Sequence, residues 1–213
     1  SLNELYNPVN AAIEVFKKEY FERLDGVEVP NKLKEEDPHY HSNIPMFYKI
    51  YSCNELKKDR EDEMGTKYDV VIRLRPDMEI VDPIPKKVLN NLNVLWFSSH
   101  AVDPSFQVSD KFAISNSENM DYYSSVWRKL NDYWQNPLGD GSFENHRVGE
   151  RLMKHHMEQS DIKYKEFSVS GQIVRQDEVQ EKGFQEGFGP KKGFEAIISK
   201  GKGILAKIYR LIK

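Results

Sequence analysis

The stretch that decides the fold spans residues 68–77 and reads Tyr-Asp-Val-Val-Ile-Arg-Leu-Arg-Pro-Asp. Its short β-branched run, with a glycine shortly before it and Pro76 after it, predicts a buried strand of an α/β sheet. Alternation along a strand sends Arg73, Arg75 and Asp77 to one side. In open α/β sheets ligands bind beyond the carboxyl ends of strands, where guanidiniums bind phosphate and a carboxylate holds a divalent metal. The alternative is an Arg/Asp ion-pair cluster that closes the strand end.

Predicted helices and strands alternate on both sides of this stretch. Strands are predicted at residues 94–97 and 111–114, and one or two more between residues 164 and 174. Helices are predicted over residues 8–24, 43–65, 86–91, 116–134 and 143–159, with Asn43 or Ser42 capping the second and a loop between residues 27 and 42. The pattern predicts an α/β domain with a small mixed sheet flanked by helices.

The composition excludes several classes of protein. A chain of 213 residues with 38% hydrophobic and 31% charged residues is typical of a globular domain, not of a collagen-like or wholly disordered chain. No apolar run approaches the roughly 20 residues that a bilayer span needs, so we expect any membrane contact to be peripheral. The single cysteine, Cys53, cannot form an intramolecular disulfide. We expect a buried structural thiol in a reducing, cytoplasmic compartment, with the inner face of a membrane as the alternative location.

Charge is divided unevenly along the chain. Residues 191–213 carry seven Lys/Arg and one acidic residue, whereas residues 1–190 carry 24 Lys/Arg and 33 Asp/Glu. An acidic body argues against a nucleic-acid partner. We expect an α/β domain over residues 1–175, a Gly-rich linker over residues 176–193 and a basic amphipathic helix over residues 194–213. Such a helix is typical of peripheral membrane contact. The alternative is that it packs on the acidic body.

Three stretches of the chain together resemble one family of proteins. They are residues 68–80 (YDVVIRLRPDMEI), 109–127 (SDKFAISNSENMDYYSSVW) and 149–157 (GERLMKHHM). In order and spacing they are similar to a family of bacterial and viral nucleotide-sugar glycosyltransferases with a GT-A-like fold. The similar region, residues 40–175, corresponds to the metal- and acceptor-binding part of such enzymes. The nucleotide-binding βαβ units that normally come first have no counterpart before Tyr68, so we expect that half to be missing from this chain.

The resemblance implies roles for five residues. Asp77 is the candidate ligand of Mn²⁺ or Mg²⁺, and Arg73 and Arg75 are the candidate donor-binding arginines. Asp110 and Glu150 are implied at the acceptor cleft, where either could be the general base of an inverting enzyme; a retaining enzyme does not need a base there. The implied activity is transfer of a sugar from a nucleotide-diphosphate donor to a glycan or other surface-polymer acceptor. The alternative is a noncatalytic remnant that attaches to a membrane or a partner subunit.

Other candidate residues have structural interpretations that the pattern favours. The pairs His39/His41 and His155/His156 could ligate a metal, but the first lies in a polar loop and adjacent residues cannot point the same way on a helix. Aromatic residues at helical spacing could stack on sugar rings, but that spacing favours core packing. They are Tyr122, Tyr123, Trp127 and Trp134.

Overall fold

The computed structural model describes residue 8 and residues 29–36, 40–98, 108–135, 149–169 and 171–173. These residues form six helices and six strands. In chain order they are α1 (Asn31–Glu36), α2 (Tyr40–Met64), β1 (Val71–Leu74), β2 (Met78–Ile80), α3 (Lys86–Leu89), β3 (Leu95–Ser98), β4 (Phe112–Ser115), α4 (Ser117–Ser124), α5 (Val126–Gln135), α6 (Gly149–Glu158), β5 (Tyr164–Phe167) and β6 (Gly171–Ile173). The predicted α/β class, with a small mixed sheet flanked by helices, is confirmed.

The chain divides into two compact units. The larger unit comprises residues 13–73 and 86–168 and contains the helices and the four-stranded sheet, whose strand β1 ends at the boundary. The smaller unit comprises residues 1–12, 74–85 and 169–213. Its described part contains β2 and β6, which pair antiparallel with Met78 opposite Ile173. Among the described residues no helix is long and apolar enough to cross a membrane.

The four-stranded sheet has the order β1-β4-β3-β5. Strands β3 and β4 pair antiparallel, with Trp96 opposite Ile114, and β3 and β5 pair parallel, with Trp96 opposite Lys165. Every residue of β3 and β4 is buried, so the interior strands predicted at residues 94–97 and 111–114 are confirmed. The buried strand predicted from Tyr68 is wrong in its start and in its burial. Strand β1 begins at Val71 and is only half-buried, because among the described strands it lies at the edge of the sheet with β4 as its neighbour.

A tight turn follows β1 and ends the predicted alternation. The backbone N–H of Met78 donates to the carbonyl of Arg75 at 3.1 Å, which closes a four-residue turn with Pro76 in its second position. The strand therefore does not continue to Asp77, as the alternation argument assumed. Arg75 and Asp77 are placed by the turn, because proline at this position favours reversal of the chain over extension.

Helix α2 begins earlier than predicted and ends where predicted. It starts at Tyr40, and α1 occupies residues 31–36, so the loop predicted at residues 27–42 and the cap at Ser42 or Asn43 are wrong. Burial of Ile44 and Phe47 holds this first part helical although Pro45 lies inside it. At the other end Gly65 has φ 66°, and the N–H groups of residues 65 and 66 donate to the carbonyls of residues 62 and 61. These are the two bonds of a Schellman C-cap.

One predicted helix is observed as two. The predicted helix over residues 116–134 is interrupted at Ser125, between α4 and α5. The carbonyl of Tyr122 accepts from the backbone N–H of Ser125 at 2.9 Å, from Ser125 Oγ at 2.7 Å and from His156 Nε2 at 2.8 Å. This carbonyl therefore accepts from residue 125, three positions later, and from another helix, and not in the regular i to i+4 pattern, which explains the break. Helix α4 starts at the predicted cap region, where Asn116 Oδ1 accepts from the N–H of Asn119.

The core of the larger unit lies between the sheet and helices α2, α4, α5 and α6. Its buried members include the aromatic residues predicted to pack there, Tyr123, Trp127 and Trp134. Cys53 is exposed, so the predicted buried thiol is wrong, because the core-facing position next to it is taken by Asn54. The predicted helix at residues 8–24, the linker at 176–193 and the tail at 194–213 lie outside the described residues except for residue 8.

Candidate functional site

Asp110 lies buried in the short segment that leads into β4. Its exposed fraction is 3%. The N–H of Val108 donates to the carbonyl of Glu150 at 3.1 Å, which ties the segment to the first turn of α6. Ser109 Oγ lies 3.1 Å from Ser98 Oγ and accepts from the N–H of Lys111 at 3.2 Å. Hydrogen bonds on both sides therefore hold the backbone of Asp110 in one position.

Tyr123 supports the same segment from α4. Its side chain is fully buried, and its hydroxyl donates to the carbonyl of Ser109 at 2.7 Å. Burial raises the pKa of Tyr123 well above its usual value; the charge of Arg73 lowers it, and those of Asp110 and Glu150 raise it further. The hydroxyl therefore keeps its proton at neutral pH and remains a donor. The charges of three predicted site residues act on this one phenol.

Two of the residues whose charges act on this phenol each have a buried polar atom without a hydrogen-bond partner among the described residues. These atoms are Oδ1 of Asp110 and Nη1 of Arg73. A buried polar group left unpaired typically destabilises the fold by about 1–3 kcal/mol, and more if it is charged. Native structures therefore keep few of them. We call Arg73, Ser109, Asp110, Tyr123 and Glu150 the Asp110 cluster.

Glu150 reaches the cluster because α6 begins close to α2. Gly149 is buried at the start of α6, and a Cβ there would lie 2.7 Å from Met46 Cε and 3.4 Å from Asn43 Oδ1. Any side chain at position 149 would force Met46 to shift, so glycine permits the close approach of the two helices. Glu150 then lies in the first turn of α6, where the helix dipole favours a carboxylate.

Arg75 and Asp77 belong to the smaller unit and pair with each other. Asp77 Oδ1 and Oδ2 accept from Arg75 Nε and Nη2 at 2.9 and 2.6 Å. The two side chains are 34% and 38% exposed. This two-bond geometry is typical of a strong guanidinium–carboxylate pair. It matches the ion-pair alternative that the sequence left open for this stretch.

The residues described around Asp77 do not fit a divalent metal site. Mn²⁺ and Mg²⁺ take several oxygen ligands, and the described part of the chain contains no group of three or more His, Cys, Asp or Glu that could hold a metal. Both carboxylate oxygens of Asp77 already accept from Arg75. We derive no chemical step through a metal, and the metal role of Asp77 stays a prediction.

A second, partly buried polar group of the larger unit is internally paired. Lys57 Nζ lies 3.0 Å from Glu61 Oε2 and 2.9 Å from Asp121 Oδ1, and it also contacts Ser117 Oγ. Asn54 Nδ2 donates to Asp121 Oδ1 at 2.8 Å. These five residues, which we call the Lys57 cluster, join α2 to α4.

Glu61 is held in its charged form by that cluster. Burial raises the pKa of Glu61, but hydrogen bonds from the N–H of Tyr68, from Ser117 and from Lys57 outweigh burial and lower the pKa below its usual value. The bond from Tyr68, 2.8 Å long, also attaches the segment before β1 to α2. The cluster therefore has a structural role that accounts for all of its members.

His156 is likewise a buried, satisfied side chain. Nε2 lies 2.8 Å from the carbonyl of Tyr122, so Nε2 carries the proton, and Nδ1 accepts from the hydroxyl of Tyr133 at 2.7 Å. Burial lowers the pKa of His156 to about 4; the bond to Tyr122 raises it, and the charges of His155 and Lys129 lower it. The imidazole is therefore neutral at pH 7 and bonds through both ring nitrogens.

Three of the five predicted site residues, Arg73, Asp110 and Glu150, lie in the larger unit, and the charge of each acts on the pKa of Tyr123. Arg75 and Asp77 lie in the smaller unit. Sequence reasoning missed the bond from Tyr123 to the backbone of Ser109, because it considered this residue for core packing and, as the alternative, for stacking on sugar rings. The helical spacing of Tyr123 carries no signal of a bond to Ser109, fourteen residues earlier in the chain.

The chain was compared with protein-family models, with curated proteins and with solved structures. None of the three comparisons found a match. The functional interpretation of this chain therefore rests on the geometry of the Asp110 cluster and on the chemistry of its residues.

Proposed function

We propose that this chain takes part in the transfer of a sugar from a nucleotide-diphosphate donor to a glycan acceptor. The observation that carries the proposal is the buried Asp110 carboxyl, whose Oδ1 has no partner among the described residues. A carboxylate held in one orientation with unused bonding capacity suits a general base or a hydroxyl-binding group. The small mixed sheet with flanking helices is compatible with a GT-A-like fold, which we include in the proposal.

In this proposal Asp110 acts on the acceptor hydroxyl. Its Oδ1 takes the hydroxyl proton while the acceptor oxygen forms a bond to the anomeric carbon of the donor sugar. The bond between that carbon and the diphosphate oxygen breaks, and the diphosphate leaves with the electron pair. Glu150, whose charge acts on the same Tyr123 hydroxyl, is the alternative base. A retaining reaction would use Asp110 only to bind the acceptor.

The donor is tested by isothermal titration of the intact chain with UDP-, GDP-, CDP- and dTDP-sugars, each with Mn²⁺, with Mg²⁺ and with EDTA. We expect at least one nucleotide sugar to release or absorb heat on binding. If Asp77 holds the metal, this heat should be lost in Asp77→Asn. The control is Glu118→Gln, which removes a carboxylate that is 74% exposed. Binding that persists in EDTA and in Asp77→Asn would remove the metal; no binding of any nucleotide sugar would remove the enzyme proposal.

Transfer itself is tested with the nucleotide sugar that binds and a panel of glycan acceptors. If Asp110 is the base, Asp110→Asn should lower kcat by about 10²–10⁴-fold while donor binding is unchanged. Glu118→Gln should keep full activity. Full kcat in Asp110→Asn combined with loss of activity in Glu150→Gln would move the base to Glu150.

Two observations favour a second candidate function, a noncatalytic module that attaches to a membrane. The Arg75–Asp77 pair is internally satisfied, and residues 191–213 carry six net positive charges. Each Lys or Arg near anionic lipid contributes on the order of 1 kcal/mol. We expect liposomes with anionic lipid to sediment the intact chain at low salt, but not a chain ending at Gly193. Equal sedimentation of both chains would contradict this function.

A further inference from the structure

Residues 108–111, which we call the Asp110 segment, form a buried stretch without helix or strand just before β4. Val108, Ser109 and Asp110 are 0%, 2% and 3% exposed. Irregular stretches normally run over the surface, where water satisfies their backbone N–H and C=O groups. A buried one needs partners from other parts of the chain.

Three elements that are distant in the chain supply those partners. The hydroxyl of Tyr123, in α4, donates to the carbonyl of Ser109 at 2.7 Å. Ser98, the last residue of β3, places its Oγ 3.1 Å from Ser109 Oγ. From α6, the carbonyl of Glu150 accepts from the N–H of Val108 at 3.1 Å. The Asp110 segment is therefore fixed by its contacts with β3, α4 and α6.

The carboxyl of Asp110 depends on this backbone for its position. Its Oδ1 has no hydrogen-bond partner among the described residues, so no bond to that atom fixes it. The bonds that hold the segment are made one residue earlier, at Ser109. A reacting group that shifts by about 1 Å can lose about 100-fold in rate. The groups that hold Ser109 therefore control where the carboxyl lies.

We infer that Tyr123 and Ser98 are positioning residues for the proposed reaction, because their hydroxyls hold Ser109 and so keep the neighbouring Asp110 carboxyl in the orientation that transfer requires. Both act through the Asp110 segment and not on the reacting atoms. The inference rests on the proposed function for the reaction. The hold on the segment is a property of the fold and is tested separately.

The first test compares two neighbouring tyrosines of α4. Tyr123→Phe keeps the buried ring and removes only the hydroxyl. Tyr122→Phe is the matched control, because the Tyr122 hydroxyl also donates to a backbone carbonyl, that of His156, at 2.9 Å. We expect Tyr123→Phe to lower kcat by about 10- to 100-fold while KM and donor binding stay unchanged, and Tyr122→Phe to keep its kcat. Equal kcat in the two variants would overturn the inference.

A double variant shows whether Tyr123 acts through Asp110. Tyr123→Phe added to Asp110→Asn should lower kcat no further than Asp110→Asn alone, because the group that Tyr123 positions is already gone. A further loss as large as that of Tyr123→Phe alone would give Tyr123 a separate role and overturn the inference. Full kcat in Asp110→Asn would overturn it as well.

Ser98→Ala tests the second support and answers the same question if Tyr123→Phe does not fold. Its control is Ser115→Ala, at the far end of β4, because the Ser115 hydroxyl is also buried and lies 3.1 and 3.2 Å from the carbonyls of Leu92 and Val94. We expect kcat to fall in Ser98→Ala and to stay unchanged in Ser115→Ala. Equal kcat in these two variants would remove Ser98 from the inference.

Amide hydrogen exchange of the intact chain, followed by NMR, tests the hold on the segment without any substrate. The amides of Val108 and Lys111 should exchange about fivefold faster or more in Tyr123→Phe and should be unchanged in Tyr122→Phe. Faster exchange in a chain that transfers no sugar would confirm the hold and refute only the transfer reaction. Sugar transfer with unchanged exchange and unchanged kcat in Tyr123→Phe would refute only this inference.

Discussion

The Lys57 cluster and the Asp110 cluster are both partly buried polar groups of the larger unit, but they differ in how their atoms are paired. In the Lys57 cluster one ammonium lies between two carboxylates at 3.0 and 2.9 Å. In the Asp110 cluster the carboxylate and the guanidinium each keep a buried atom without a partner among the described residues. The first arrangement stabilises the contact between two helices. The second arrangement lowers the stability of the fold, which is typical of residues that serve binding or catalysis.

This comparison makes opposite predictions for the two clusters under mutation. Removing a member of the Lys57 cluster should leave charges buried without partners and lower stability. Neutralising Asp110 should instead remove a buried charge that has an unpaired atom. Tryptophan fluorescence is a suitable measurement, because all three tryptophans, Trp96, Trp127 and Trp134, lie in the larger unit.

The largest effect is expected from Lys57→Met. The variant removes the ammonium that lies 3.0 Å from Glu61 and 2.9 Å from Asp121, so both carboxylates lose this ion pair. We expect the free energy of unfolding in urea to fall by about 3–5 kcal/mol. The matched control is Lys58→Met, one position along α2, whose side chain is 47% exposed and should change stability by less than about 0.5 kcal/mol. Similar losses for the two variants would show that the Lys57 cluster is not structural.

The next largest effect is expected when the pH is lowered far enough to protonate the buried, hydrogen-bonded His156. The pKa of His156 is about 4 in the folded chain against an ordinary value of 6.5, so the unfolded chain binds the proton first as pH falls. Stability supplied by the neutral imidazole is complete above pH 6.5 and is lost progressively between pH 6.5 and about 4. The shift corresponds to about 3 kcal/mol.

The measurement is the free energy of unfolding at pH 7.5, 6, 5 and 4.5 in the native chain and in His156→Gln. The native chain should lose more stability than the variant over this range, because glutamine does not titrate. Carboxylates such as Glu61, with its lowered pKa, add losses at still lower pH in both proteins. Parallel pH profiles would contradict the buried neutral state of His156.

The smallest and most diagnostic effect is expected from Asp110→Asn. Because Asp110 Oδ1 is buried without a partner, removing the charge should raise the free energy of unfolding, by about 1 kcal/mol. Glu118→Gln, at an exposed ion pair, should change it by less than about 0.5 kcal/mol. A loss of 2 kcal/mol or more in Asp110→Asn, on the scale of a broken buried pair, would place Asp110 with the structural group.

Local patterns predicted much of the fold. The interior strands β3 and β4 follow from short apolar runs, and the end of α2 follows from Gly65, whose φ of 66° suits a C-cap. The edge position of β1 and the break at Ser125 did not follow from the sequence. Both depend on partners that are distant in the chain, β4 in the first case and His156 in the second.

The candidate site residues stay predictions. Asp110 and Glu150 were proposed from a resemblance, and the charges of both raise the pKa of Tyr123. The pairing of Arg75 with Asp77 was an open alternative, because alternation along a strand cannot show that a turn closes at Pro76. That the charges of Arg73, Asp110 and Glu150 all act on Tyr123 depends on separate segments of the chain, which spacing along the chain does not reveal.

The sequence by itself determined the α/β class, the main helices and strands, and the division of charge between an acidic body and a basic end, because these depend on composition and short-range periodicity. Only the tertiary structure decided which polar residues are buried with partners and which without. Pairing is a property of atoms brought together from distant parts of the chain, as Lys57 and Asp121 illustrate, whereas Asp110 Oδ1 is buried without a partner among the described residues. Burial then determines how much an unpaired charge costs, and so where a functional site is to be sought.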